Sequence, residues 1–281
     1  MPENVSHISL LARLPSEQRQ KLLSQLTEDE VDELLHDWSF VARPEQIAPL
    51  GDWLVWTYLA GRGAGKTRAG VEWVRERLKA GCVRIHMIAP TAGDGRDVLV
   101  EGVSGILSVC WERDYTYKGA LLGRPEYEPS KRRLTWKNGA VATLFSAEEP
   151  ERLRGPQADA LLCDELAAWF EPQMTWDMAM FGLRLGDRPR AMVTTTPKPL
   201  PIIRELVRDK RNTVTKGTTW DNRANLAESF FEQVVAKYQG TRLGRQELSG
   251  EILEEAEGAL WKREMIRYLD KVPPLARIVV S

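Results

Sequence analysis

The chain has 281 residues, 43% apolar and 28% charged, a composition that buries one sizeable core with a small appendage and excludes a disordered or collagen-like chain. Its 39 basic and 40 acidic side chains nearly cancel to a formal charge of −1, so no strongly basic nucleic-acid clamp shows in the total. Three cysteines without a C-x-x-C pair and three scattered histidines, His7, His36 and His86, exclude a disulfide framework and a structural zinc site. Neither a membrane-length apolar run nor a secretory leader is visible, which reads as a cytosolic protein. The total hides an asymmetry: residues 1–60 are strongly acidic, whereas 61–160 carry a net positive charge.

Residues 15–38 repeat leucine and valine at helical spacing, in two short runs around Leu22, Leu23 and Leu26 and around Val31, Leu34, Leu35 and Trp38, which predicts an amphipathic pair covering a core edge. The run 53–60 is almost continuously apolar and aromatic, the pattern of a strand buried on both faces. A glycine-rich loop follows, and then Val71, Trp73, Val74 and Leu78 predict a helix that stops at Gly81. Residues 83–89 read as a second strand, completing a strand-loop-helix-strand unit. Farther along, Asn138-Gly139 between the runs 133–136 and 141–145 signals a tight hairpin. Runs 160–163 and 191–196 read as core strands separated by helical sequence at 171–184. A helix is expected at 199–210, a strand at 213–219, and one or two helices at 227–250. The alternation predicts an α/β fold with a mostly parallel central sheet flanked by helices, plus a small helical lid.

The loop after the first strand reads Ala60-Gly61-Arg62-Gly63-Ala64-Gly65-Lys66-Thr67, which fits the phosphate-binding pattern G-x-x-x-x-G-K-[ST] except that Ala60 replaces the first glycine. Small residues let successive backbone N–H groups converge on phosphate oxygens. Lys66 supplies a cation to the β- and γ-phosphates, and Thr67 a hydroxyl to Mg2+. The strand 160–163 ends in Asp164-Glu165. Asp164 is the expected magnesium carboxylate, and Glu165 the base that orients and deprotonates the attacking water. Arg62, inside the loop, and Arg154, just upstream of the Asp164 strand, are candidates for neutralising charge on the transferring phosphoryl group. The hydroxyls of Thr194, Thr195 and Thr196, at the end of the next strand, are placed to sense loss of the γ-phosphate. Gln46, ahead of the first strand, carries a donor and an acceptor suited to an adenine edge. Together these residues predict a Mg2+-dependent ATPase.

The chain resembles the large terminase subunits of tailed phages and of phage-derived gene transfer agents. The resemblance rests on Ala42-Arg43-Pro44-Glu45-Gln46, on Gly61 to Thr67, on Arg152-Leu153-Arg154-Gly155 ten residues ahead of Asp164-Glu165, and on Thr194-Thr195-Thr196-Pro197. It implies a RecA-like P-loop ATPase that drives double-stranded DNA through a portal into a capsid. Gln46 would then read adenine, Gly61, Arg62, Gly63, Ala64, Gly65, Lys66 and Thr67 would hold ATP, and Glu165 would be catalytic. Thr194 to Thr196 would form the coupling segment, and Arg154 would be offered to a neighbouring subunit. The implied partners are DNA, the portal protein, the small terminase subunit and further copies of the chain in a ring, a pentamer when active, in the cytoplasm of the bacterial host. The family continues into a two-metal nuclease; here residues 277–281 look like its first strand, so no nuclease activity is expected of residues 1–281.

On this reading residues 1–45 form an N-terminal helical region, 46–219 the ATPase core, 220–253 the lid, and 254–281 a linker with the first nuclease strand. A two-lobed helicase would need a second lobe for which 220–281 are too few residues. A transporter-type ATPase is suggested by Leu248-Ser249-Gly250-Glu251, but that signature should precede Asp164. A nucleotide-switched scaffold without turnover is disfavoured by Glu165. Lys131, Arg132, Arg133 and Lys137, interleaved with Trp136 on the hairpin, are the candidate DNA-backbone contacts.

Overall fold

The computed structural model describes residues 6–253 and Met265. Its strands are β1 (Val55–Ala60), β2 (Arg84–Ala89), β3 (Glu126–Glu128), β4 (Arg133–Thr135), β5 (Val141–Ser146), β6 (Ala160–Cys163), β7 (Arg190–Thr195) and β8 (Thr213–Gly217). They form one sheet in the order β3-β4-β5-β2-β6-β7-β1-β8. The six strands from β5 to β8 in that order run parallel, and β4 is antiparallel to β3 and β5. This is the α/β fold with a mostly parallel central sheet that the alternation of elements predicts.

The period of two along a strand sorts the core into two layers. Trp56, Tyr58 and Ala60 of β1 face one layer, with Trp73, Val74 and Leu78 of the helix Lys66–Lys79. Val55 and Leu59 face the other, with Trp176 and Ala179 of the helix Pro172–Gly182 and Ile202, Ile203 and Leu206 of Pro201–Arg208. Strands β1 and β6 are buried along their whole length, which is why they read as continuous apolar runs. The helix after the glycine loop ends as its sequence predicts: Gly81 takes φ +98°, its N–H bonds to Leu78 O and the N–H of Cys82 bonds to Arg77 O, a Schellman stop that favours glycine.

Two expectations are corrected. The helix Ser16–Leu23 buries none of its residues, and Leu22 is 48% exposed, so of the expected core contacts only Trp38, at the end of the pair, is buried in the core, and the leucines do not cover it. The helix Glu28–His36 docks by other means: His36 stacks on Trp111 at 4.6 Å, Arg113 bonds Asp29 and Asp32, and buried Arg75 donates to His36 O while pairing with Asp114. Helical periodicity reports which face is apolar and not what lies opposite it. The hairpin is present, but its basic residues do not form a free DNA-facing patch. Lys131 and Arg133 pair with Glu128, Arg132 with Glu149 and Lys137 with Glu112, and Trp136 is buried in the core at 2% exposure instead of being presented for stacking.

The helix His7–Arg13, the helical stretch at residues 92–100 and the strand β3 go beyond the elements expected from the sequence. The 92–100 stretch contains Gly93 and Gly95, which weaken local helical signals. The proposed linker at 254–276, apart from Met265, and the strand at 277–281 lie outside the described residues. Among the described residues no helix is long and apolar enough to cross a membrane.

Candidate functional site

At the C-terminal ends of the parallel strands lies a cleft of about 1040 Å³, lined by Lys66, Thr67, Asp164, Glu165 and Thr196 together with Gln46 and Arg62. Strand order explains how residues so distant in sequence meet. The glycine loop leaves β1 and the Asp164-Glu165 pair leaves β6, and β7 lies between them. The end of β7, with Thr194, Thr195 and Thr196, therefore touches both.

The loop is shaped for close backbone approach. Gly63 and Gly65 have φ of +70° and +77°, a region that side chains disfavour. A Cβ on Gly61 would collide with Leu248 O, and one on Gly65 would sit 2.6 Å from Gln46 Nε2. Lys66, at the start of the helix Lys66–Lys79, is buried; its ammonium donates to Ala60 O, Gly61 O and Thr196 Oγ1 and lies 3.2 Å from Glu165 Oε1. The other carboxylate oxygen of Glu165 accepts the N–H of Thr196 at 3.1 Å. Glu165 holds φ +47° and ψ +47°, the left-handed region that non-glycine residues seldom occupy. Such strain is retained where the surroundings over-determine the conformation, as at sites of chemistry.

Asp164 is buried, and the Thr194 hydroxyl donates to its Oδ1 at 2.5 Å. Burial pushes its carboxyl up to about 7, the negative charges of Glu165 and Asp94 push the same way, and the Thr194 hydrogen bond and the Lys66 charge oppose them. An anion held at such cost is suited to a cation. Mg2+ in nucleotide sites is held through one or two protein oxygens and the phosphates rather than in an all-protein cage, and Asp164 and Thr67, which both line the cleft, supply oxygens of that kind.

Gln46 reaches the loop, but both ends of its amide bond the backbone: Oε1 accepts the N–H of Arg43 and Nε2 donates to Gly65 O. Arg62 lines the cleft with its side chain turned to Glu247, Nε to Oε2 2.8 Å. Arg154 is not brought to this cleft. It pairs with Glu151 at 2.9 Å, is 63% exposed, and with Met178, Phe181 and Arg184 lines a separate shallow pocket.

Several further residues hold or line the site, some of them far from it in the sequence. Arg43 is buried and donates to Glu45, to Ala64 O and to Asn222 Oδ1. Asn222 in turn donates to Gly63 O at 2.6 Å, and Thr219 to Arg62 O at 2.7 Å. The Arg62 N–H donates to Glu247 O, so residues 219–247 clasp the loop from above. Asp94 and Lys198 also line the cleft. Arg43 and Gln46 stand out in the sequence as one short element; the partners more than 150 residues away do not.

The family model for the terminase large subunit, T4likevirus-type, N-terminal region matches residues 57–268. The chain belongs to this family. Among solved structures it is similar to the large terminase ATPase domain of Thermus phage P74-26, with a TM-score of 0.56 and 18% identity over 80% of this chain and 98% of that one. It is also similar to the large terminase of a second thermophilic bacteriophage, with TM-scores of 0.54 and, for its complex with ADP, 0.55, each at 17% identity over 80% of this chain. The chain spans 53% of that second protein's length. At such identities the likeness establishes the fold, and the family assignment rests on the matched model. None of the curated proteins matches the sequence. The family identifies the chain as the ATPase part of a DNA-packaging motor.

Proposed function

We propose that residues 46–219 hydrolyse ATP to ADP and phosphate with Mg2+, and that the hydrolysis drives double-stranded DNA through the portal into a capsid. The observation that carries this is the meeting of Lys66, Glu165 and Thr196 across β7. A cation for the phosphates, a base for water and the end of the coupling strand lie within hydrogen-bond reach of one another. The second phage terminase was solved with ADP, which supports a nucleotide in the equivalent cleft.

Lys66 and the backbone of the glycine loop hold the phosphates, and Thr67 with Asp164 would hold the metal. When bound, Mg2+ neutralises charge building on the phosphate oxygens. Glu165 takes a proton from the attacking water, while the Thr196 N–H fixes its Oε2 so that the other oxygen faces Lys66 and the cleft. Gln46 braces the loop through Gly65 O; its second amide hydrogen and second lone pair are what it offers to adenine. The clasp at 219–247 acts as the lid. Arg154 is exposed and outside its own cleft, which supports a role on a neighbouring copy in a ring that we take to be a pentamer. The partners on this reading are DNA, the portal protein and the small terminase subunit, in the cytoplasm of the infected cell.

Replacement of Glu165 with glutamine tests the reading. Glu165→Gln should bind ATP normally and release phosphate at least about 10²-fold more slowly, the size of a general-base contribution. Lys66→Ala should weaken binding as well. Near-wild-type release by Glu165→Gln would overturn the base assignment. No release by the wild-type ring in the presence of DNA would favour a nucleotide-switched scaffold.

A further inference from the structure

Ala167, two residues after Glu165, is gripped from both sides by the segment that ends β7. Its N–H donates to Thr195 Oγ1 at 3.0 Å, and its carbonyl accepts from Lys198 Nζ at 3.1 Å. Ala167 lies in the single 3-10 turn Leu166–Ala168, whose N-terminal flank is Glu165 in its left-handed conformation. A glutamate held in that region is strained, so the turn that follows must be fixed for the carboxylate to stay aimed. Thr195 is buried, whereas Lys198 is half-buried, on the wall of the same cleft as Glu165 and Thr196.

We propose that Lys198 is a positioning residue for ATP hydrolysis: its ammonium pins the turn after Glu165 and so sets where the Glu165 carboxylate stands relative to the attacking water. The proposal rests on the reading of Glu165 as the base. Lys198 and Lys66 divide the work by place. Lys66 sits at the start of the helix after β1 and bonds the carboxylate itself, whereas Lys198 follows β7 and bonds the backbone two residues on. A charged donor to a carbonyl is stronger than a neutral one. Because Lys198 and the Thr196 N–H leave β7 within three residues of each other, a displacement of that strand end moves the carboxylate and its supporting turn together.

The test compares Lys198→Met, Lys198→Arg and Glu165→Gln in the assembled protein, reading kcat and KM from phosphate release and nucleotide affinity from a fluorescent ADP analogue. Lys198→Met keeps the packing of the stem and removes the donor. It should lower kcat about tenfold or more, a size in keeping with small misplacements of reacting groups, with KM and ADP affinity within about twofold of wild type. Lys198→Arg should recover most of the loss. Thr195→Val, which removes the other grip on Ala167 at constant shape, should show the same kcat-only loss, and it stands in if Lys198→Met does not fold. Wild-type kcat in Lys198→Met with Glu165→Gln inactive overturns the Lys198 assignment alone. Weakened ADP binding at unchanged kcat, or equal losses in the Met and Arg variants, overturns it as well. Wild-type turnover by Glu165→Gln removes the base and the proposal with it.

Discussion

Thr194 Oγ1 donates to Asp164 Oδ1 at 2.5 Å while accepting the backbone N–H of Glu165 at 3.3 Å. One hydroxyl thus serves both acidic residues, from a strand that carries neither.

The first consequence concerns stability against function at Asp164. Its carboxyl stands near 7 in the folded chain against an ordinary 3.8. Between those values the folded state binds the proton more tightly than the unfolded one, so stability falls as pH rises from about 4 to about 7 and then levels off. In EDTA, Asp164→Asn should be more stable than wild type at pH 8 by about 1–3 kcal/mol, with the gap closing near pH 4, and with Mg2+ supplied it should have no ATPase activity. Urea unfolding at the two pH values measures this; equal gaps at both would refute it.

His86 imposes the opposite slope. Burial holds its imidazole down at about 4, and its Nδ1 has no hydrogen-bond partner among the described residues. The unfolded chain takes up the proton near 6.5, so stability is full above that value and is lost as pH falls toward 4. Between pH 7 and pH 5 the loss from this group should be about 2 kcal/mol. His86→Gln should flatten that part of the profile relative to wild type, as read by urea midpoints at pH 7, 6 and 5.

Asn222 joins Arg43 to Gly63, so Asn222→Ala removes a brace of the phosphate loop and leaves a buried guanidinium short of an acceptor. Loss of one such bond costs about 1–3 kcal/mol. ATP affinity should fall several-fold, and residues 220–250 should be cut sooner by a non-specific protease; both are measurable on the same preparation. Unchanged affinity and cleavage would remove the clasp from the binding scheme.

Arg154 lies away from its own cleft, and a ring motor places ATP at subunit boundaries. Arg154→Ala would leave a good pocket without a donor, and Lys66→Ala a donor with a dead pocket. Mixing the two under assembly conditions should restore part of the ATPase rate. The same mixture with Arg62→Ala should restore none, because Arg62 belongs to the loop itself. Rings seen by light scattering without recovered activity would give Arg154 a same-subunit or structural role.

The phosphate loop, Asp164-Glu165 and Thr194 to Thr196 are legible in the sequence because each is a short run whose chemistry is local. The residues that support them are not. Asn222 and Glu247 touch the loop from about 160 and 185 positions away, and an asparagine or glutamate on a polar stretch announces nothing until the chain is folded. The basic hairpin misleads for the reverse reason: its charges are conspicuous in sequence, but in space each is paired with Glu128, Glu149 or Glu112. The leucines at 22 and 23 have helical spacing but no core opposite them.

The place of β7 between β1 and β6 has a mechanical meaning. Neighbouring strands lie about 4.8 Å apart, so the loop and the acidic pair are held across a gap one strand wide, bridged directly by Lys66 and Glu165 and also through Thr196 at the end of β7. That strand is hydrogen-bonded on both sides, to β1 and β6, and its far end continues through the helix Pro201–Arg208 into β8 and the clasp. A pull along β7 is thus borne as shear on two parallel ladders, the direction in which many bonds share the load, and the chain leads from there to the segment that clasps the glycine loop.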